Sequence, residues 1–348
     1  MLDVRDALQR TAARPSALLE LAEQDSVARA LDPHLTADGL RGGVARAGRV
    51  VAHALDTAMR RALGNLPGRR PLPPVMVRGR RRGPRLEPLA AGLARLGGEV
   101  VLDAAGAPLP DAVLPLRAAR VAAEGGLGFE PLTLEALGSA PPLGTPWPAE
   151  ARAELGGFLV QGPRVAPVWE ALDQAGAVTR LWPEWAAVRN QVQRNPLHLY
   201  TVDRHSVEAV GLLGGIDVGA ARRDLTAVAT LFHDLGKRPG AKDHAGLGAL
   251  LAGPLFARLG YPAEEAEFMT ELIRHHLTLA RLATTRDPAA PETLAELLDA
   301  VDGRLERLDG LAALTEADAR AAGPKAWTKQ RAALVARLTA LARARLTT

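Results

Sequence analysis

The sequence predicts a mainly α protein. An all-helical bundle spans residues 146–348, preceded by a helical region, 1–145, that carries a small β insertion. Three observations carry this. Aromatic residues make up only 3% of the chain while apolar residues make up 47%, so the core is built from Leu, Ala and Val, and Ala, Leu and Arg are strong helix formers. From Ala149 onward apolar residues recur with a helical period almost without interruption. Strand-like stretches are confined to Val75–Val77 and to EVVLD, Glu99 to Asp103.

Taken in order, residues 1 to about 65 read as two or three helices. Leu18, Leu21 and Ala22 form an apolar stripe at i, i+3, i+4, and a longer helix runs from Asp38 to Leu63. His53, set among Val50, Val51 and Ala52, reads as a structural histidine; His34 follows Pro33 in a turn without an evident partner. LPGRRPLPPVMVRGRRRGPRLEP, Leu66 to Pro88, is a Pro-, Gly- and Arg-rich loop with one short strand, and Arg80, Arg81 and Arg82 read as its solvated basic run. Helices resume near 111–123 and 132–137. PPLGTPWP, with Trp147 between two prolines, reads as a linker and marks the boundary near residue 146. Beyond it, helices are expected at about 149–160, 166–175, 183–191, 203–214, 222–235, 244–258, 263–279, 291–303, 306–321 and 325–345.

Composition narrows the chemistry. The 348 residues contain no cysteine, which excludes disulfides and thiolate metal sites, so any metal must be held by His, Asp or Glu. No apolar run approaches the ~18 residues of a membrane span, and MLDVRDALQR lacks the apolar centre of a signal peptide, so a soluble, cytoplasmic protein is expected. Net charge is only +4, and the basic residues are nearly all Arg, a composition bias rather than a nucleic-acid footprint.

The chemistry-bearing residues fall in the second half. Leu225 to Phe232 contains no charge, so the helix ending at His233-Asp234 is expected to be buried. A buried imidazole and carboxylate are costly unless compensated, and a divalent cation would compensate them. Gly236 reads as the C′ glycine ending that helix, with Lys237 in the turn. His205 shares an inward face with Ala209 and Leu212. Met269, Leu272, Ile273 and His276 form an i, i+3, i+4, i+7 stripe, which selects His276 over His275. Asp318 continues the stripe of Leu311 and Leu314, and His244 follows Asp243, a candidate N-cap. Five such groups on five successive segments, in a chain with eight histidines, read as a metal site.

The order His, His-Asp, His, His, Asp resembles the HD-domain phosphohydrolases. NPLHLYTVDRHSVEAV, LFHDLGKRPGAKDHAGLGA, RHHLTLARLATTRDPAAPET and ALTEADARAAGPKAW are similar to the uridylyl-removing domain of bifunctional PII uridylyltransferases, in wording most like the actinobacterial branch. The likeness extends upstream through VWEALDQAG and LWPEWAAVRNQVQRN, and more loosely into the first 145 residues. The resemblance implies that His205, His233, Asp234 and Asp318 hold one metal and that Asp234 bridges to a second held by His244 and His276. The ions would be Mn²⁺, Fe²⁺, Zn²⁺ or Mg²⁺. Asp234 and Lys237 would be catalytic, Lys237 and Arg274 would meet phosphate, and Lys242 is a further candidate for that contact. The implied partner is a nucleotidylated PII signalling protein, carrying UMP or AMP on tyrosine; no nucleic acid or membrane partner is implied. A stand-alone phosphohydrolase of free nucleotides and a non-catalytic relic are the alternatives. The family's Gly-Ser loop with paired aspartates and its ACT domains have no counterpart in this sequence, so transferase activity and ACT-based glutamine sensing are not expected.

Overall fold

The computed structural model describes residues 1–12, 14–64, 76–77, 80–81, 86–103, 110–193, 195, 197–218 and 223–347. Val75 and Arg82, both named above, lie outside them. The chain opens with helices α1 (Leu2–Ala12), α2 (Gln24–Leu31) and α3 (Ala37–Gly64). The stripe expected from Leu18 to Ala22 is not a helix. Leu18 and Leu21 are 68% and 79% exposed, and a 3-10 turn, Leu21–Glu23, is started by a reciprocal Glu20/Glu23 capping box. The face that does bury is Val27 and Ala28 against Ala7, Leu8 and Leu40.

The β insertion is larger than the two strands expected. Strands β1 (Met76–Val77) and β2 (Arg80–Arg81) pair antiparallel. Then β3 (Glu87–Ala90), β4 (Leu93–Leu96) and β5 (Glu99–Leu102) form an antiparallel meander, and β6 (Gly128–Phe129) adds to β5 in parallel after α4 (Leu114–Gly125). The sequence reading missed β3 and β4 because GLARL lacks β-branched residues. Their buried face, Leu93 against Val100, is what holds them.

The rest is helical: α5 (Pro131–Gly138), α6 (Ala149–Leu159), α7 (Val165–Gln174), α8 (Ala177–Leu181), α9 (Val202–Leu213), α10 (Arg223–Phe232), α11 (His244–Arg258), α12 (Ala263–His275), α13 (Thr278–Thr285), α14 (Pro291–Ala300), α15 (Leu305–Ala322) and α16 (Lys329–Leu346). Some expected helices differ. Residues 183–191 contain only a 3-10 turn, Pro183–Ala187, the helix expected over 222–235 ends at Phe232, the helix expected to run to 279 breaks after His275 and restarts as α13, and the last helix begins at Lys329 rather than at 325.

One hydrophobic core runs from Leu93 to Ala342. It includes Trp147, 3% exposed and 5.7 Å from the Trp182 ring, so this one residue of the PPLGTPWP stretch is packed into that core while its flanking prolines stay exposed. The few aromatic residues are concentrated here: Trp169 stacks on Trp182 at 5.3 Å and meets Trp185 at 5.1 Å, and both Trp182 and Trp185 lie 6.1 Å from Phe232. Fully burying a side chain such as Phe232 contributes about 1.5–3 kcal/mol. Phe232 immediately precedes His233, so the aromatic cluster anchors the end of α10 where the candidate site begins.

Candidate metal centre

Every charged group singled out in the second half of the sequence converges at one end of the bundle except Lys242 and Arg274. Leu225 to Phe232 of α10 is wholly buried, as a charge-free helix should be. The chain then leaves the helix in a turn, Lys237 N–H donating to the Asp234 carbonyl at 2.9 Å, and this turn presents His233, Asp234 and Lys237. His205 comes from α9 and Asp318 from α15; His276 sits just past α12 as its C-cap. His244 opens α11, whose N-cap Asp243 accepts from the Gly246 N–H at 2.9 Å.

Gly236 does not end α10 as a left-handed C′ residue. The helix stops at Phe232, and Gly236 is not among the residues with positive φ. Its need is steric: a Cβ there would lie 2.0 Å from the His244 carbonyl oxygen and 2.5 Å from the Gly248 nitrogen. The missing side chain lets the His233–Lys237 turn press against the start of α11, which brings His244 up to Asp234.

Two groups of potential ligands result, each with its ligand atoms within 4.8 Å of one another: His205, His233 and Asp318, and Asp234, His244 and His276. Asp234 links them. Its Oδ2 is 3.3 Å from His233 Nε2 and 3.8 Å from His205 Nε2, and its Oδ1 is 3.8 and 3.9 Å from the Nε2 atoms of His244 and His276. Asp318 Oδ1 lies 2.8 Å from His205 Nε2 and 3.6 Å from His233 Nε2. His205, His233, Asp234 and His276 are at most 1% exposed, whereas the side chains of His244, Lys237 and Asp318 are 26%, 20% and 20% exposed and form the open side.

Two observations fit a cation. His233 Nδ1 lies 2.7 Å from the Thr230 carbonyl and His276 Nδ1 2.6 Å from that of Ile273, so each Nδ1–H donates outward and leaves Nε2 as the inward-facing nitrogen. Those Nε2 atoms, that of His244 and Asp234 Oδ1 are buried without a hydrogen-bond partner, an arrangement that is costly without a ligand. The electrostatics agree. Burial opposes a charged His233, yet Asp234 and Asp318 outweigh it and raise the imidazole to about 10. Burial alone would raise Asp234, but His233 and Lys237 hold it well below the carboxylate range. The carboxylates therefore draw positive charge into a buried place, and a bound dication would supply it in place of the His233 proton. His276, desolvated and beside His233, is pushed down to about 4, so it is neutral as a ligand nitrogen must be. With no thiolate available, an all-His/Asp donor set suits Mn²⁺, Fe²⁺ or Zn²⁺.

The remaining candidates are placed elsewhere. Arg274 pairs with Glu271 at 3.1 Å and is 45% exposed, His275 sits 3.5 Å from Glu271, and no contact joins either to Asp234. His34 is exposed, its N–H bound to Asp32. His53, half-buried and lowered by burial, lines a cavity of about 920 Å³ beneath α3 that contains none of the six potential ligands. Two further groups lie near the site: Gln193, which the sequence does not single out, and His198, which lies in the recognisable flank NPLHLYTVDRHSVEAV without a ligand role. Gln193 accepts from Lys237 Nζ at 2.9 Å, and the His198 ring lies 5.1 Å from that of His205. Neither lies on a periodic stripe, so helical periodicity does not mark them.

Comparison with known proteins agrees with this geometry. Residues 202–314 match the HD domain family. That stretch is therefore an HD domain. The chain as a whole is similar to the HD-containing region of bifunctional uridylyltransferase/uridylyl-removing enzymes. It is 43% identical over 97% of its length to that of Streptomyces coelicolor and 38% over 96% to that of Mycobacterium tuberculosis. To that of Corynebacterium glutamicum it is 33% identical over 82%. It spans 41%, 41% and 40% of those three proteins. No helix among the described residues is long and apolar enough to cross a membrane.

Proposed function

We propose that this chain hydrolyses the phosphodiester joining a nucleoside monophosphate, UMP or AMP, to a tyrosine of a PII-type signalling protein. The observation that carries the reading is Asp234, buried between two histidine clusters with Lys237 Nζ 2.7 Å from its Oδ2. The relatives' printed name, uridylyl-removing enzyme, supplies the substrate class. His205, His233, Asp234 and Asp318 would hold one divalent ion, and Asp234, His244 and His276 a second. Such ions supply Lewis acidity toward phosphoryl oxygens and toward water.

The chain's own groups do the rest. Thr230 and Ile273 carbonyls orient His233 and His276, and burial of the four innermost residues keeps bulk water from their inner side. Lys237, on the open side, faces charge developing on the phosphoryl group; Arg274 would have to leave Glu271 to join it. A tyrosyl oxygen, with a pKa near ~10, departs without the proton an alkoxide would need. Residues 146–348 carry all six ligands, and residues 1–145 brace them.

The test is nucleotide release from nucleotidylated PII by the chain loaded with Mn²⁺. Release by the wild type and none by Asp234→Ala is expected. Equal release by both, or release only from free nucleotides, sinks the reading.

A further inference from the structure

Just before the HD-matched region, residues 189–193, 195 and 197–201 are tied to three of the elements that build the candidate centre. Gln193 Oε1 accepts from Lys237 Nζ at 2.9 Å, in the turn after α10. The His198 ring lies against His205 of α9, and Leu199 N–H donates to the carbonyl of Ala322, the last residue of α15, at 3.2 Å. Val202 N–H closes the segment onto Gln191 at 2.8 Å.

The base of this segment is held by a buried ion cluster centred on Arg49 of α3. Arg49 donates to Asn190 Oδ1 at 2.9 Å, Asp173 Oδ2 at 2.7 Å and Asp203 Oδ2 at 2.8 Å, and pairs with Glu170 at 2.8 Å. Arg189 closes on Asp173 at 2.9 Å. Asn190 sits at φ 58, a left-handed conformation that a non-glycine residue holds only when its surroundings impose it. Asp203 lies two residues before His205, so one guanidinium fixes both the segment and the first turn of α9.

Lys237 is thus held from two sides, by Asp234 Oδ2 at 2.7 Å and by Gln193. A lysine side chain is flexible, and its point charge has no preferred fork geometry, so its placement depends on such partners. We propose that Gln193 is a positioning residue that keeps the Lys237 ammonium at the open edge of the centre. On this proposal the Arg49 cluster holds Gln193 in reach, so that the region ahead of the HD-matched residues completes the hydrolytic site. This rests on the role given to Lys237 above.

The test is a double-mutant cycle of Gln193→Ala and Lys237→Ala in the full chain, read by nucleotide release and, separately, by Mn²⁺ affinity from calorimetry. Gln193→Ala is expected to lower kcat about tenfold with KM little changed, as misplacement of a charge does, and to add no further loss to Lys237→Ala. Gln193→Glu, which keeps an acceptor oxygen, should recover most of kcat. Without Gln193, Asp234 is the remaining partner of Lys237 and the ammonium competes with the cation there. Mn²⁺ affinity should therefore fall about threefold or more in Gln193→Ala, but not when Lys237 is also absent. Multiplicative losses in the cycle, or an unchanged Mn²⁺ affinity, overturn the inference. A wild type that binds Mn²⁺ yet releases no nucleotide sinks the proposed substrate instead, and the Mn²⁺ cycle alone then decides on Gln193.

Discussion

Asp234 is the residue on which both ligand groups depend, and its neighbours show how a face is chosen before a role is. His275 and His276 are adjacent and chemically identical. The stripe of Met269, Leu272 and Ile273 continues to His276, which is 1% exposed, while the His275 side chain keeps 28%. His276→Ala is therefore expected to weaken Mn²⁺ binding about tenfold or more, whereas His275→Ala leaves it unchanged; calorimetric titration of both variants checks this. Arg49 makes a different kind of prediction. Its side chain is 13% exposed and serves three carboxylates, and removing it would leave Asp203 without that cation beside Glu170 and Asp173, which keep only Arg204 and Arg189. Arg49→Met should lower stability by about 3–5 kcal/mol, measured by urea denaturation, because uncompensated buried charge costs more than the pair gains. No sequence pattern flags Arg49: in α3 it is one arginine among several, and its partners lie more than a hundred positions away.

At the scale of elements, the turns between helices carry the chemistry. The periodic pattern of α10 runs on through Leu235, and that of α12 runs to Leu279, so both read as longer helices than they are. In each case the chain breaks at the histidine: His233 begins the turn after α10, and His276 caps α12. Neither break has a glycine or proline at it. They are imposed by packing, α10 against the turn's approach to α11 and α12 against the restart as α13, and local propensity cannot show them. Gly236 is the clearest instance, since its sequence position suggests a helix cap and its actual service is clearance. Gly236→Ala is expected to cost about 3 kcal/mol or more, because the atoms it would meet are backbone and cannot yield as a side chain would. The same variant should bind Mn²⁺ more weakly, as His244 is pushed from Asp234. Denaturation and titration of the one protein test both.

For the molecule as a whole, the centre is a place where folding gathers acids and imidazoles that repay their desolvation only with a cation present. Metal should therefore stabilise the fold. Mn²⁺ at a hundredfold excess over its Kd is expected to add about 2.7 kcal/mol, seen as a rise in Tm that chelator reverses and that Asp234→Ala lacks. The core is continuous from Leu93 to Ala342, with Trp147 inside it, so the centre rests on residues from both sides of position 146.

The helical class, the burial of α10 and the inward faces of His205, His276 and Asp318 are legible in the amino-acid order. Those follow from the 3.6-residue period and from the cost of leaving apolar surface in water, both of which act locally. The chain's likeness to a known family marked which histidines belong together. The distances at which Asp234 faces both clusters, the clearance required at Gly236, and the hydrogen bond from Lys237 to Gln193 emerge only in the folded chain. Those contacts join segments far apart in the chain, and their energies depend on distance and burial, which no spacing within a single helix encodes.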